Sequence, residues 1–159
     1  MVFAKPVENS SSVSGGIMNQ MPRKEGISPD YVTELKSKEK KEPIASFLKM
    51  RLLELTPGYS RVAMKLAPEY QNFNGFIFGG VIMSIADQAF AYASNSLAHP
   101  SVATQFNIHF VSGAGASDEL TAECRVVRSG KRVGISEMTV TNQEGKLIAK
   151  ATGTTIPLS

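Results

Sequence analysis

The chain has 159 residues, 42% of them apolar and 19% charged, with a formal net charge of +3 from 17 basic and 14 acidic side chains. That length fits one domain with a real core, and the charge is not gathered into the basic stripe of a nucleic-acid binder, so nucleic acid is not an expected partner. A lone cysteine, Cys124, excludes an internal disulfide and a thiolate zinc site within one chain. Two histidines, His99 and His109, fall short of a His-rich metal site, so no metal is expected. No apolar run approaches the ~18 residues of a membrane span, and the N-terminus lacks the apolar segment of a secretory signal. The expected setting is cytoplasmic and reducing.

Residues 1–42 stand apart in composition. Ser10 to Ser12 and Ser14 to Gly16 are small and polar, and Lys36 to Glu42 is nearly all charged. This stretch is expected to be a flexible tail with a short helix near Tyr31–Leu35, ahead of a domain spanning 43–159. Ile44, Phe47 and Leu48 are spaced as one face of a short helix opened by Pro43. Met50–Leu55 reads as a strand, Thr56-Pro57-Gly58-Tyr59 as a turn, and Ser60–Leu66 as a paired strand with Val62, Met64 and Leu66 on one face.

Phe78–Asn95 is the longest helical pattern. Val81, Ile82, Ile85, Ala86, Ala89, Phe90 and Ala93 make a wide apolar stripe, and Gly79-Gly80 permits close backbone approach at its start. In the next strand, Val102, Thr104, Phe106, Ile108 and Phe110 fall on one face and Ala103, Gln105, Asn107 and His109 on the other. Leu120, Ala122, Cys124 and Val126 form the following inward set. Ser129-Gly130-Lys131 turns the chain, and Arg132–Thr141 and Lys146–Ile156 are strands split by the turn Asn142–Gly145. The order β-β-α-β-β-β-β, without later crossover helices, predicts an α+β fold whose largely antiparallel sheet curls around one central helix.

Asp87 breaks this pattern. It lies about 150° from the centre of the apolar stripe, among Met83, Ser84, Ala91 and Ser94. A surface position explains it on periodicity alone. The short neighbours also suit a face where another backbone or a ligand comes close, such as a dimer interface with a cleft.

Ahead of the helix runs Asn72-Phe73-Asn74-Gly75-Phe76-Ile77-Phe78-Gly79-Gly80, and the helix contains Ala86-Asp87-Gln88-Ala89-Phe90-Ala91-Tyr92-Ala93-Ser94-Asn95-Ser96. Over about residues 43–156 the chain resembles the hotdog-fold acyl-CoA thioesterases of the phenylacetate-degradation (PaaI-like) type. That family has an Asn, a Gly three residues later, a His-Gly-Gly, and a helix carboxylate nine residues after the His. Asn72, Gly75, Gly79-Gly80 and Asp87 keep the spacing, while Phe78 stands in place of the His. The loop Val111-Ser112-Gly113-Ala114 also lacks the family's Arg-Pro or Ser-Pro.

The resemblance implies hydrolysis of an acyl-CoA thioester, aryl or short to medium chain, with no cofactor beyond the coenzyme A of the substrate. A Gly79 amide at the helix N-terminus would hold the oxyanion, and Asp87 would act as base or nucleophile. Asn72 would orient the carbonyl or the water, and Thr104 would hold the water. Phe78, Gly80 and Ser94 would line the substrate, and Arg128, Lys131 and Arg132 would meet the phosphates. Ordinary structural roles remain for each: a tight turn, a loop cap, a strand residue, a solvated turn. The resemblance further implies a homodimer, paired into a dimer of dimers, with Asp87 facing the partner's loop. The alternative is a hotdog dimer that binds acyl-CoA without cleaving it.

Overall fold

The computed structural model describes residues 29–158. The elements are α1 (Pro29–Glu39), α2 (Pro43–Phe47), β1 (Met50–Thr56), β2 (Tyr59–Lys65), a 3-10 turn (Pro68–Tyr70), α3 (Gly79–Asn95), β3 (Ser101–Phe110), β4 (Glu119–Ser129), β5 (Gly134–Asn142) and β6 (Leu147–Pro157). The strands form one sheet in the order β1-β2-β4-β5-β6-β3, and every neighbouring pair is antiparallel. α3 packs against all six strands. Six strands at ~4.8 Å spacing are wider than one helix, so the sheet must curve around α3, as the hotdog expectation requires. Among the described residues, no helix is long and apolar enough to cross a membrane.

Local chemistry accounts for the frame. Pro57 and Gly58 close the β1–β2 hairpin, Gly58 at φ +76°, and its N–H donates to Ser96 Oγ at 2.8 Å. Ser60, fully buried on β2, donates its hydroxyl to the Ala89 carbonyl at 2.6 Å, which pins the helix to the sheet. The α3 stripe Ile82, Ile85, Ala86, Ala89, Phe90 and Ala93 is buried against Val62, Met64, Leu120, Ala122, Cys124, Met138 and Val140. Phe90 meets Phe106 with ring centroids 5.9 Å apart. A Cβ on Gly153, the cross-strand partner of Phe106, would lie 2.6 Å from Phe90 Cζ, so a glycine there is what admits the ring. Burial pushes the Cys124 thiol up to about 12, as suits an inert core thiol.

Three details differ from the sequence expectations. The helix expected near Tyr31–Leu35 runs from Pro29 to Glu39, and Leu35 is in the core. The packed chain thus reaches back past Pro43, and residues 1–28 of the expected tail lie outside the described residues. Ala45 in α2 and Leu48 at its C-cap face inward while Ile44 and Phe47 are exposed: a single turn docks by whichever side meets β1. In β3 the register slips between Ala103 and Gln105, leaving Thr104 unpaired as a bulge. Phe106, Ile108 and Phe110 oppose Gly153, Ala151 and Ala149, whereas Val102 opposes the exposed Ile156. The bulge therefore moves Val102 off the face it was expected to share with Phe106.

The two sheet edges are unlike. α1 and α2 pack on β1. No residue of β3 is fully covered within the chain.

Candidate active site

The segment before α3 is a tight loop organised by Asn72. Its N–H donates to the Phe76 carbonyl at 2.7 Å, and its carbonyl accepts from Gly75 N at 2.9 Å. Its Oδ1 accepts from the Asn74 and Phe76 amides at 2.9 and 3.2 Å. Gly75 sits at φ +76°, a value that favours glycine. Asn72 is thus the cap of its loop, and its Nδ2 is left as a donor.

The loop delivers Phe78 as the N-cap of α3. Phe78 has no side-chain cap hydrogen bond, because a phenyl ring cannot accept from the first-turn amides. Val81 N donates to the Phe78 carbonyl at 2.9 Å, while the amides of Gly79 and Gly80 have no acceptor among the described residues. Two N–H groups therefore stand open at the positive end of a 17-residue helix. Two rings flank them. A Cβ on Gly79 would lie 3.1 Å from Phe110 Cζ, and one on Gly80 would overlap the Phe78 ring.

Asp87 lies on the exposed stripe of α3 with Met83 and Ala91. It has no hydrogen bond or ion pair among the described residues. Partial desolvation raises its pKa above the usual aspartate value, with no cation or donor to oppose it. The structure does not bring Asp87 to Gly79 within one chain, because eight residues of helix separate them by ~12 Å along the axis.

The other expected site residues scatter. Thr104 Oγ1 donates to the Thr154 carbonyl at 3.3 Å, a use that follows from its place in the bulge. Ser94 is buried, and its hydroxyl has no hydrogen-bond partner, so in one chain it is not open to a ligand. Arg128, Lys131 and Arg132 are exposed at the β4–β5 turn, where Gly130 N donates to the Val133 carbonyl at 2.9 Å. That turn is far from Gly79. Gly134 pairs with Thr155, which pairs with Ala103, and Ala103 is ~23 Å along β3 from Phe110.

Two features escaped the sequence. Phe110 lies over Gly79; only the inward parity of β3 hinted at it. Glu42 Oε2 accepts from Gln88 Nε2 and from Tyr92 OH, both at 2.8 Å, closing one side of a cleft of about 430 Å³ between α1 and α3. No spacing signal links residues 46 and 50 positions apart. His99 is accounted for by Asn95 Oδ1 at 2.9 Å from its Nδ1. Among the described residues there is no cluster of three His, Cys, Asp or Glu able to hold a metal.

Residues 74–149 match the thioesterase superfamily. The acyl-coenzyme A thioesterase PaaI of Escherichia coli is 33% identical over 66% of this chain and 75% of its own. The chain belongs to the thioesterase superfamily. The solved structure of the Escherichia coli PaaI protein superposes on this thioesterase with a TM-score of 0.79 at 28% identity, covering 84% of this chain and 97% of the other. A Streptococcus mutans protein solved with acetyl CoA bound gives a TM-score of 0.67 at 27% identity, covering 69% and 89%. The superfamily match takes in Gly79, Gly80, Asp87, Thr104 and Phe110 of this PaaI-like thioesterase but not Asn72.

Proposed function

We propose that this thioesterase hydrolyses acyl-CoA thioesters to a free acid and coenzyme A. The observation that carries the reading is the pairing, on one helix, of an uncapped N-terminus with an unpartnered, partly desolvated carboxylate. A thioester carbonyl needs donors where its oxygen becomes negative and a base for water. Gly79 N–H is the oxyanion donor, with Gly80 N–H beside it. Asp87, its pKa raised above the usual aspartate value by partial burial, takes the proton from the attacking water. The water adds to the carbonyl carbon, the C–S bond breaks, and the proton held by Asp87 goes to the departing thiolate. Asn72 Nδ2 orients the carbonyl, and Thr104 steadies the water. No cofactor takes part.

One chain cannot assemble these parts, so the working unit is a homodimer. The open β3 edge is the surface we assign to pairing, each chain lending Asp87 to the Gly79 of the other; a further pairing would give a dimer of dimers. In such a dimer the basic turn Arg128–Arg132 reaches the phosphates of substrate held mainly by the partner. The names of the relatives support coenzyme A as the carrier: one is an acyl-coenzyme A thioesterase and another was solved with acetyl CoA.

Phe78 favours one second reading. A ring with no donor at the head of the helix suits a dimer that binds acyl-CoA without turnover. Thiol release from a panel of short, medium, long and aryl acyl-CoAs, with wild type beside Asp87→Asn, decides. Turnover by wild type with a loss of ~100-fold or more in the variant is expected. Tight binding without release by wild type would establish the second reading, and equal activity of the two proteins would remove Asp87 from the chemistry.

A further inference from the structure

The amides of Gly79 and Gly80 are not in an open polar setting. Phe110 is 53% exposed with its ring against Gly79, and Phe78 is 57% exposed with its ring against Gly80. Val111, next to Phe110, and Phe76, two residues before Phe78, are exposed as well. Exposed large apolar side chains gathered around open donors make a ligand surface more than a solvated one. This inference rests on the reading that a thioester oxygen sits at Gly79.

A carbonyl placed there has two substituents, the acyl carbon and the sulfur, each one bond away. Both must lie beside rings that touch the same two glycines. The pantetheine arm soon presents amides, which lose their hydrogen bonds against phenyl faces. A hydrocarbon acyl group has no such cost and gains contact with the rings. Neither ring can donate to, or accept from, a polar group on the first carbons of the acyl chain.

We propose that Phe110 and Phe78 are specificity-determining residues: they contact the acyl carbons next to the thioester and select acyl groups that are plain hydrocarbon there over those bearing a hydroxyl. The matched probes are butyryl-CoA and 3-hydroxybutyryl-CoA, which differ by one oxygen at nearly equal size. Wild type is expected to favour butyryl-CoA by roughly tenfold to a hundredfold in kcat/KM. Phe110→Asn and Phe78→His are expected to cut that preference at least ~3-fold each, with the loss in KM for butyryl-CoA. Inhibition by coenzyme A alone should stay unchanged, and Phe110→Leu should keep the preference.

The proposal is overturned if wild type treats the two esters alike. It is equally overturned if coenzyme A inhibition weakens as much as butyryl-CoA binding, which would place the rings on the arm. A smaller species for Phe110→Asn in sedimentation would overturn it too, since the rings would then be a contact between copies. Should wild type cleave neither ester, the hydrolytic reading is decided separately by the wider acyl-CoA panel, and calorimetric affinities for the same pair carry the test. The same preference is then expected, and equal affinities overturn the proposal.

Discussion

A composite site makes a demanding prediction: two inactive chains, mixed, recover activity. The first variant is Asp87→Asn, which keeps size and removes the charge, for an expected loss of ~10²–10⁴-fold. The second is Gly79→Pro, which deletes the donor N–H itself. Gly79 is the first residue of α3, and Phe78 before it is extended at φ −63° and ψ 126°. Proline is at home at that helix position and after such a residue, so the helix should survive. The exposed Phe110 ring, 3.1 Å from the site of the new Cβ, has room to give. Losing one oxyanion donor is expected to cost ~10²–10³-fold.

In a dimer with exchanged residues, a mixed pair contains one site with an intact Gly79 from the first variant and an intact Asp87 from the second. Its other site carries both lesions. Random exchange makes half the dimers mixed, so the mixture should reach about a quarter of the wild-type rate while each parent is nearly inactive. The assay is thiol release after the two proteins are unfolded and refolded together, with mixed dimers counted through a tag on one chain. If mixed dimers form and the rate stays at the parental level, Gly79 and Asp87 do not serve one site across two chains. The ~12 Å separation along one helix would then mean that they do not serve one site at all.

The raised pKa of Asp87 has a consequence for stability with a fixed sign. Ionised Asp87 is disfavoured in the folded chain, so Asp87→Asn should melt higher than wild type near pH 7, the gap closing as pH falls through the ordinary carboxylate range. Over the same range the kcat/KM of wild type should climb with pH, through an apparent pKa above that of a free aspartate. Gly153→Ala should cost about 1–3 kcal/mol by denaturant titration, because the new Cβ would sit 2.6 Å from a ring that is 1% exposed. Adding Phe90→Leu should recover part of that loss. Tyr92→Phe removes a donor to the Glu42 carboxylate and should cost about 1.5–3 kcal/mol, with protease cleavage in α1 appearing earlier than in wild type.

Much of this was legible from residues alone. Alternation and turn residues were enough for the strands, whose ends came out within a residue or two of expectation except at β4, which runs on through Ser129 where a turn was expected, and the 3.6-residue period placed Asp87 opposite the buried stripe. What escaped was tertiary. The bulge at Thr104 has no glycine to announce it, so strict alternation put Val102 on the wrong face. Val32 and Leu35, the two aliphatic residues of a largely polar segment, were too sparse a stripe to show that α1 packs on the sheet. Asn72 looked equally suited to substrate or to its own loop; the structure shows its Oδ1 engaged by two loop amides, which leaves only its nitrogen for a ligand.

The places where the chain departs from ordinary stability rules gather on α3. A phenylalanine holds the N-cap, where Ser, Thr, Asp or Asn would satisfy the first amides. Two successive glycines open the helix at the cost of its propensity, and a carboxylate sits partly desolvated with no partner. Elsewhere the helix is tied down well: Ser60 on the Ala89 carbonyl, Glu42 on Gln88 and Tyr92, Phe90 against Gly153. Such a contrast between a firmly seated body and unsatisfied groups on the same element is what a site needs, because donors and base must be held rigidly yet left empty. In the proposed dimer, two copies of this one helix would supply the oxyanion donor and the base of each site, with the open β3 edge as the surface that holds them together.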